Sequence, residues 1–260
     1  MSKAPYVVAL VASSSLILIE ILVTNFGLWI AFDAIGPMTK YGLMGLDVLL
    51  SHCNGMTDEE RSSVLATSAH VSSTPTTELQ MGLGEPVCFS DGIGDVSSLG
   101  VDCQSATSSS IVSEARLALQ YTRGRENQRA LDSTSTLSMK NKTVDAFNLA
   151  TIKGARAANL SDKIGSIAVG KCADLVFWHK GTPSMLAAAE HDPVAAIIHH
   201  SSVRDVRNVM IDGIFRKRDE NLVPFSLPGK SQMKWKDLAQ QVLSSRKVIE
   251  ERILKGQSGL

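Results

Sequence analysis

The chain has no excess of charge of either sign: its 26 basic and 26 acidic side chains cancel over 260 residues. No net field draws in a polyanion or an anionic membrane surface, so nucleic-acid binding is not expected. Cysteine is scarce and scattered. Cys53, Cys88, Cys103 and Cys172 form no CxxC pair and no close-set framework, which fits reduced thiols in a cytoplasmic protein and excludes a small disulfide scaffold. Cys53 and Cys103 each follow a residue singled out below, but alternation along a strand would turn each away from that neighbour. Both therefore read as buried small hydrophobes rather than a metal pair. The sequence also lacks a Gly-x-Ser-x-Gly elbow, and Ser51 could not face the adjacent His52 along a strand, which sets aside a serine hydrolase. No internal repeat is present.

A long unbroken apolar run is missing as well. Tyr6 to Ile35 is almost wholly apolar, but Glu20 divides it into two runs, each short of the roughly 20 residues a spanning helix needs. A carboxylate at mid-bilayer would cost about 2.5–3.5 kcal/mol. Buried strands and a core helix are expected there, with a membrane anchor through residues 6–35 as the alternative. Lys3 alone supplies a leading positive charge and no small-x-small site closes the first run, so a signal peptide is not expected.

What the chain does have is a 44% hydrophobic composition, enough for one large domain or two modest ones. Its most informative segment is Leu50-Ser-His-Cys-Asn-Gly-Met-Thr-Asp-Glu-Glu60. Val48, Leu49 and Leu50 read as a short buried strand, and Thr57 with Glu60 as a capping box, so His52 falls on the loop joining strand to helix. Ser97-Ser-Leu-Gly-Val-Asp-Cys103 repeats the arrangement, placing Asp102 at a strand end ahead of apolar Ile111, Ala115, Leu117, Ala118 and Leu119. Between them His70-Val-Ser-Ser-Thr-Pro75 is a third strand, with Thr76 to Gly82 read as a loop behind it. Three strand-then-helix units in series predict a parallel sheet whose polar rim carries His52 and Asp102.

Gly124 to Lys142 is polar and reads as a surface excursion, and Thr143 to Leu160 as a helix with Thr143 as its N-cap and a close-packing run of Gly154, Ala155, Ala157 and Ala158. From Ile164 hairpins are expected, one turning at Gly170-Lys171 and a second at Asp212-Gly213. An amphipathic helix from Met233 to Leu254 follows, with Trp235, Leu238, Val242, Ile249 and Ile253 on its apolar side.

The succession Ala150-Thr-Ile-Lys-Gly-Ala-Arg-Ala157, Ile164 to Val176, Asp192-Pro-Val194 and Val206-Arg-Asn-Val-Met-Ile-Asp-Gly213 resembles the C-terminal portion of the amidohydrolase superfamily, in the branch of cytosine deaminase, guanine deaminase and the triazine chlorohydrolases. The resemblance covers about residues 39 to 225. It implies an α/β fold: a partial (β/α)8 barrel of a metal-dependent hydrolase with a small C-terminal β-sandwich module. Residues 1–38 would be an apolar segment, 39–163 the barrel part with strands six to eight, and 164–260 the β module and last helix. The family's metal site takes a His-x-His pair from the first strand, a histidine from the fifth and an aspartate from the eighth; a sixth-strand histidine holds the attacking water or the substrate.

By motif His52 matches that sixth-strand histidine and Asp102 the eighth-strand aspartate, which would ligate the metal and carry the water's proton to the leaving nitrogen. Glu78, standing where relatives often carry asparagine, would accept hydrogen bonds from an N–H edge of the substrate. The implied cofactor is a divalent ion, zinc or alternatively iron, which lowers the pKa of bound water toward about 7. The implied partner is a small-molecule substrate, with a homo-oligomer possible because relatives often pair.

The departures are large. The histidines stand at 52, 70, 179, 191, 199 and 200, with no His-x-His spacing, and Asn25 or Phe26 occupies the likely fifth-strand histidine position in Ile21 to Phe26. The pair His199-His200 falls in the β module. Two readings follow: a hydrolase of non-peptide C–N bonds in a shortened chain, or an inactive remnant that binds a partner or small molecule.

Overall fold

The computed structural model describes residues 6–9, 35–104, 107–137, 139–226, 229 and 231–256. Two sheets organise them. Strands β2 (Leu49–Ser51), β3 (His70–Ser73) and β4 (Ser97–Leu99) form a parallel sheet in the order β2-β3-β4, pairing Leu49 with His70 and Val71 with Ser97. The predicted units recur. After β2 comes α2 (Asp58–Thr67); after β3, α3 (Pro75–Gln80); after β4, α5 (Ile111–Asp132). A short α1 (Ile35–Lys40) precedes β2, and α4 (Ile93–Val96) leads directly into β4.

The start of α2 follows from sequence: Thr57 Oγ1 accepts the Glu60 N–H at 3.2 Å while the Glu60 carboxylate accepts the Thr57 N–H at 2.9 Å, closing the capping box. Leu50, Val64, Val71, Val87 and Ile93 bury the face between the first two strands and these helices, while Leu99 packs with Ala115, Ala118, Leu119, Ala146 and Leu149.

The second sheet has the order β1-β5-β6-β7-β8: Tyr6–Ala9, Leu175–His179, Val206–Ile211, Ile214–Arg218 and Asn221–Leu222, all antiparallel. The Asp212-Gly213 hairpin joins β6 to β7 as its sequence predicts, both turn residues at positive φ. Trp178, Met185, Ala189, Ala196 and Ile197 form the core beside it. Phe147 packs against both this core and the one under α5, so the two layers share a side chain.

Several expectations change. The polar stretch from Gly124 is not an excursion at its start, since α5 runs unbroken to Asp132. Its second half is held by polar ties, Arg123 to the Asn141 carbonyl and Arg125 and Arg129 to Glu85, rather than by an apolar stripe. The helix expected over 143–160 is two, α6 (Thr143–Leu149) and α7 (Ile152–Ala157), broken where Thr151 adopts φ −129° and ψ −99°. Its cap is Lys142 rather than Thr143, and the Lys142 N–H donates to the Asp145 carboxylate at 2.8 Å.

Of Thr76 to Gly82, read as a loop, Thr76 to Gln80 are helical, in α3 (Pro75–Gln80). Gly170-Lys171 is a turn, but β5 has no strand partner just upstream among the described residues; β1 and β6 flank it. The final helix α9 (Trp235–Leu254), preceded by α8 (Leu186–His191), forms where its pattern places it, yet Trp235, Val242, Ile249 and Ile253 lie exposed.

Of the apolar N-terminal segment, Tyr6–Ala9 is a strand, and the Ile21 to Phe26 reading lies outside the described residues. Among the described residues no helix is long and apolar enough to cross a membrane.

Candidate active site

The parallel ladder extends one residue past its strands. His52 N–H donates to the Ser72 carbonyl at 2.9 Å and Gly100 N–H to the Ser73 carbonyl at 2.9 Å, so the chain leaves β2 and β4 at the same end of the sheet. His52 follows at once; Asp102 lies two residues beyond Gly100. Both take left-handed backbone, φ 67° for His52 and 53° for Asp102, and Cys53 joins them at 58°. Such conformations in non-glycine residues are strained and gather at functional sites.

Around His52 a buried polar cluster closes. Its Nδ1 stands 3.0 Å from Thr74 Oγ1 and 3.5 Å from Glu78 Oε1. Glu78 is wholly buried, its two carboxylate oxygens accepting from Ser73 Oγ at 2.9 and 3.1 Å and one of them from the Thr74 N–H at 2.7 Å. Glu114 is a second buried carboxylate. It reaches across from α5 to accept the Thr76 N–H at 2.8 Å and Thr76 Oγ1 at 2.6 Å, and thereby caps the start of α3. Burial holds the Glu114 carboxyl above its ordinary value, with Glu78 and Asp102 adding to the effect and the Thr76 bonds opposing it.

Burial also pushes the Cys53 and Cys88 thiols up to about 12, reinforced by Glu78. A thiol so placed resists becoming the thiolate that metal binding needs. Cys53 is buried as expected and Cys88 is buried too, whereas Cys103, expected to be buried, is exposed, as is Cys172. His199 and His200 end the π-helix Ala196–His200, where His199 Nε2 lies 3.3 Å from Thr143 Oγ1. His70 lies in β3, its Nδ1 3.2 Å from the Val96 carbonyl. Among the described residues no three His, Cys, Asp or Glu side chains group to hold a metal ion.

Sequence reasoning placed His52, Asp102 and Glu78 on neighbouring units but missed Ser73, Thr74 and Glu114. The only signal for the first two is their position as the last polar residues before Pro75; nothing local marks Glu114.

Parallel strands each followed by a helix, with polar side chains gathered past the strands' C-terminal ends, define an α/β protein. Residues 88–215 match the model of the amidohydrolase family. The chain is 28% identical over 178 residues to a 5-methylthioadenosine/S-adenosylhomocysteine deaminase of Moorella thermoacetica, covering 68% of this chain and 39% of that protein.

An adenosine deaminase of Xanthomonas campestris with bound zinc superposes with a TM-score of 0.65 at 20% identity, covering 83% of this chain and 45% of the other. The zinc complex of the atrazine chlorohydrolase of Arthrobacter aurescens superposes with a TM-score of 0.61 at 18% identity, covering 73% and 40%. The chain therefore spans less than half the length of these relatives.

Proposed function

We propose that the chain contributes to a deaminase-type hydrolase, acting on a carbon–nitrogen bond other than a peptide bond in a small nitrogen heterocycle of the adenosine-derivative kind. The observation that carries this reading is the shared exit of His52 and Asp102, on left-handed backbone, from one end of a parallel sheet. In this reading β2, β3 and β4 are strands six to eight of a (β/α)8 barrel within 39–163, and the antiparallel sheet belongs to a β-sandwich module within 164–260.

The reaction adds water to the amino-bearing carbon and expels ammonia. Asp102 takes the water's proton and returns it to the leaving nitrogen, a general acid–base role. His52, with both ring nitrogens protonated, donates a hydrogen bond to the oxygen as negative charge develops on it, an electrostatic role set before the substrate arrives. The family's divalent ion does not fit the described residues. Asp102 is a single oxygen donor where three protein ligands are needed, and the buried Cys53 thiol is a poor substitute. No step is routed through an ion here, and the missing donors must come from a second polypeptide or from residues outside those described.

The test is to affinity-purify the tagged full chain, under mild conditions, from cells that naturally make it and to measure ammonia release from adenosine and 5'-methylthioadenosine. Release should copurify with the chain and fall by about 100-fold or more in Asp102→Asn and His52→Ala. Absence of release, or equal release from both variants, would overturn the proposal.

A further inference from the structure

Glu78 is a carboxylate with no exposure, in the first turn of α3, folded back on the end of β3. Burying such a group costs heavily unless its charge is matched. Ser73 Oγ and the Thr74 N–H give it hydrogen bonds, and His52 is the one basic side chain within ion-pair distance of it among the described residues. Both oxygens are thus engaged inside the protein, which leaves Glu78 badly placed to greet a substrate edge.

The contact falls on one ring nitrogen. A bare Nδ1 would aim its lone pair at a carboxylate oxygen 3.5 Å away, whereas a protonated Nδ1 meets that oxygen and Thr74 Oγ1, 3.0 Å away, as acceptors. We propose that Glu78, through Thr74, is a positioning residue for His52: it fixes the ring proton on Nδ1 and so sets the orientation in which the imidazole faces the strand ends. The inference rests on His52 having the role given above, but its geometry does not.

The titratable and charged groups linked electrostatically to the buried Cys53, Cys88 and Glu114 around Glu78 are Glu60 from α2, Asp102 after β4 and Lys153 from α7. The two thiols stay neutral, since burial pushes both up to about 12.

The experiment is nitrogen-resolved NMR of the full chain with labelled histidine, which reads the proton on each ring nitrogen and needs no turnover. At neutral pH His52 Nδ1 should be protonated in the native protein; a bare Nδ1 overturns the proposal. In Glu78→Gln the titration midpoint of His52 should fall by about one pH unit, a tenfold weaker hold on the proton, while His199 keeps its own.

An unchanged midpoint in a folded variant overturns the proposal, because a merely structural Glu78 would move stability and not this midpoint. If the Glu78→Gln chain fails to fold by circular dichroism, Glu78→Asp, with its carboxylate set back by one methylene, is titrated instead under the same two outcomes. A chain that released no ammonia would still answer the question, so the two proposals fail separately.

Discussion

At the scale of single residues, buried carboxylates are the most demanding feature of this chain, and each is solved by a different set of donors. Asp205 shows the case most clearly. It is buried and accepts from Thr182 Oγ1 at 2.6 Å, Ser184 Oγ at 2.9 Å, the Ser202 N–H at 2.7 Å and Ser202 Oγ at 2.9 Å. Burial pulls its carboxyl up, but the hydrogen bonds from Thr182, Ser202 and Ser184 outweigh that and hold it below its ordinary 3.8.

A depressed carboxyl means that the unfolded chain binds the proton more tightly than the folded one. Its contribution is therefore whole above about pH 4 and is lost as pH falls through the folded value. Asp205→Ala should cost about 3 kcal/mol at neutral pH by urea unfolding, and the difference between the two proteins should shrink as the solution is acidified below about pH 4. A gap that stayed constant down to strongly acidic pH would mean that the network is held by shape and not by charge.

At the scale of elements, how far local pattern carried depended on whether the deciding contact was local. The α2 start is written in Thr57 and Glu60, three residues apart, and the β6–β7 turn in Asp212-Gly213; both form as their residues dictate. By contrast α3 has only Thr74, Pro75 and Glu78 as local start signals, which the loop reading of Thr76 to Gly82 passed over, and the hydrogen bonds that cap it at Thr76 come from Glu114, 38 residues away. The far half of α5 hides for another reason. Gly124 looks like a breaker and the arginines give no stripe, yet the helix continues because Glu85 and the Asn141 carbonyl bind those arginines. The positions of His52 and Asp102 were legible because strand ends are local; the pairing of His52 with Glu78 was not, since only the sheet brings them together.

Close packing of the small residues in α7 was legible, and its consequence is sharp. Gly165, at φ 84°, passes so near the helix that a Cβ there would lie 2.4 Å from Ala155 Cβ and 3.2 Å from the Ile152 backbone. Neither neighbour is a flexible side-chain end that could swing away. Gly165→Ala should therefore destabilise by about 2–4 kcal/mol, from overpacking together with the left-handed backbone, whereas Gly170→Ala, with φ 89° but open space around it, should cost only about 1 kcal/mol. Thermal unfolding of the two variants side by side checks the contrast, and equal losses would show that backbone strain alone decides.

At the scale of the whole molecule, the question is what two neighbouring strand ends can hold between them. The described strands offer His52 and Asp102 on one edge, but the remaining histidines are committed elsewhere: His70 within β3, His179 in β5, His191 at the end of α8, His199 and His200 on the π-helix. A zinc ion held by one carboxylate keeps most of its water, and its affinity falls far below that of a site with three protein ligands.

The recombinant chain, incubated with excess zinc and then desalted, should accordingly retain well under one ion per chain by elemental analysis, and Asp102→Asn should change that little. Chain purified from cells that make it, if it brings a second polypeptide with the missing donors, should carry close to one. Stoichiometric zinc on the recombinant chain alone would mean that residues outside those described complete the site. Since residues 1–34 contain no histidine and only Glu20 and Asp33 as carboxylates, such a site would have to be rich in oxygen donors, and it should then prefer a harder ion such as manganese when the two compete.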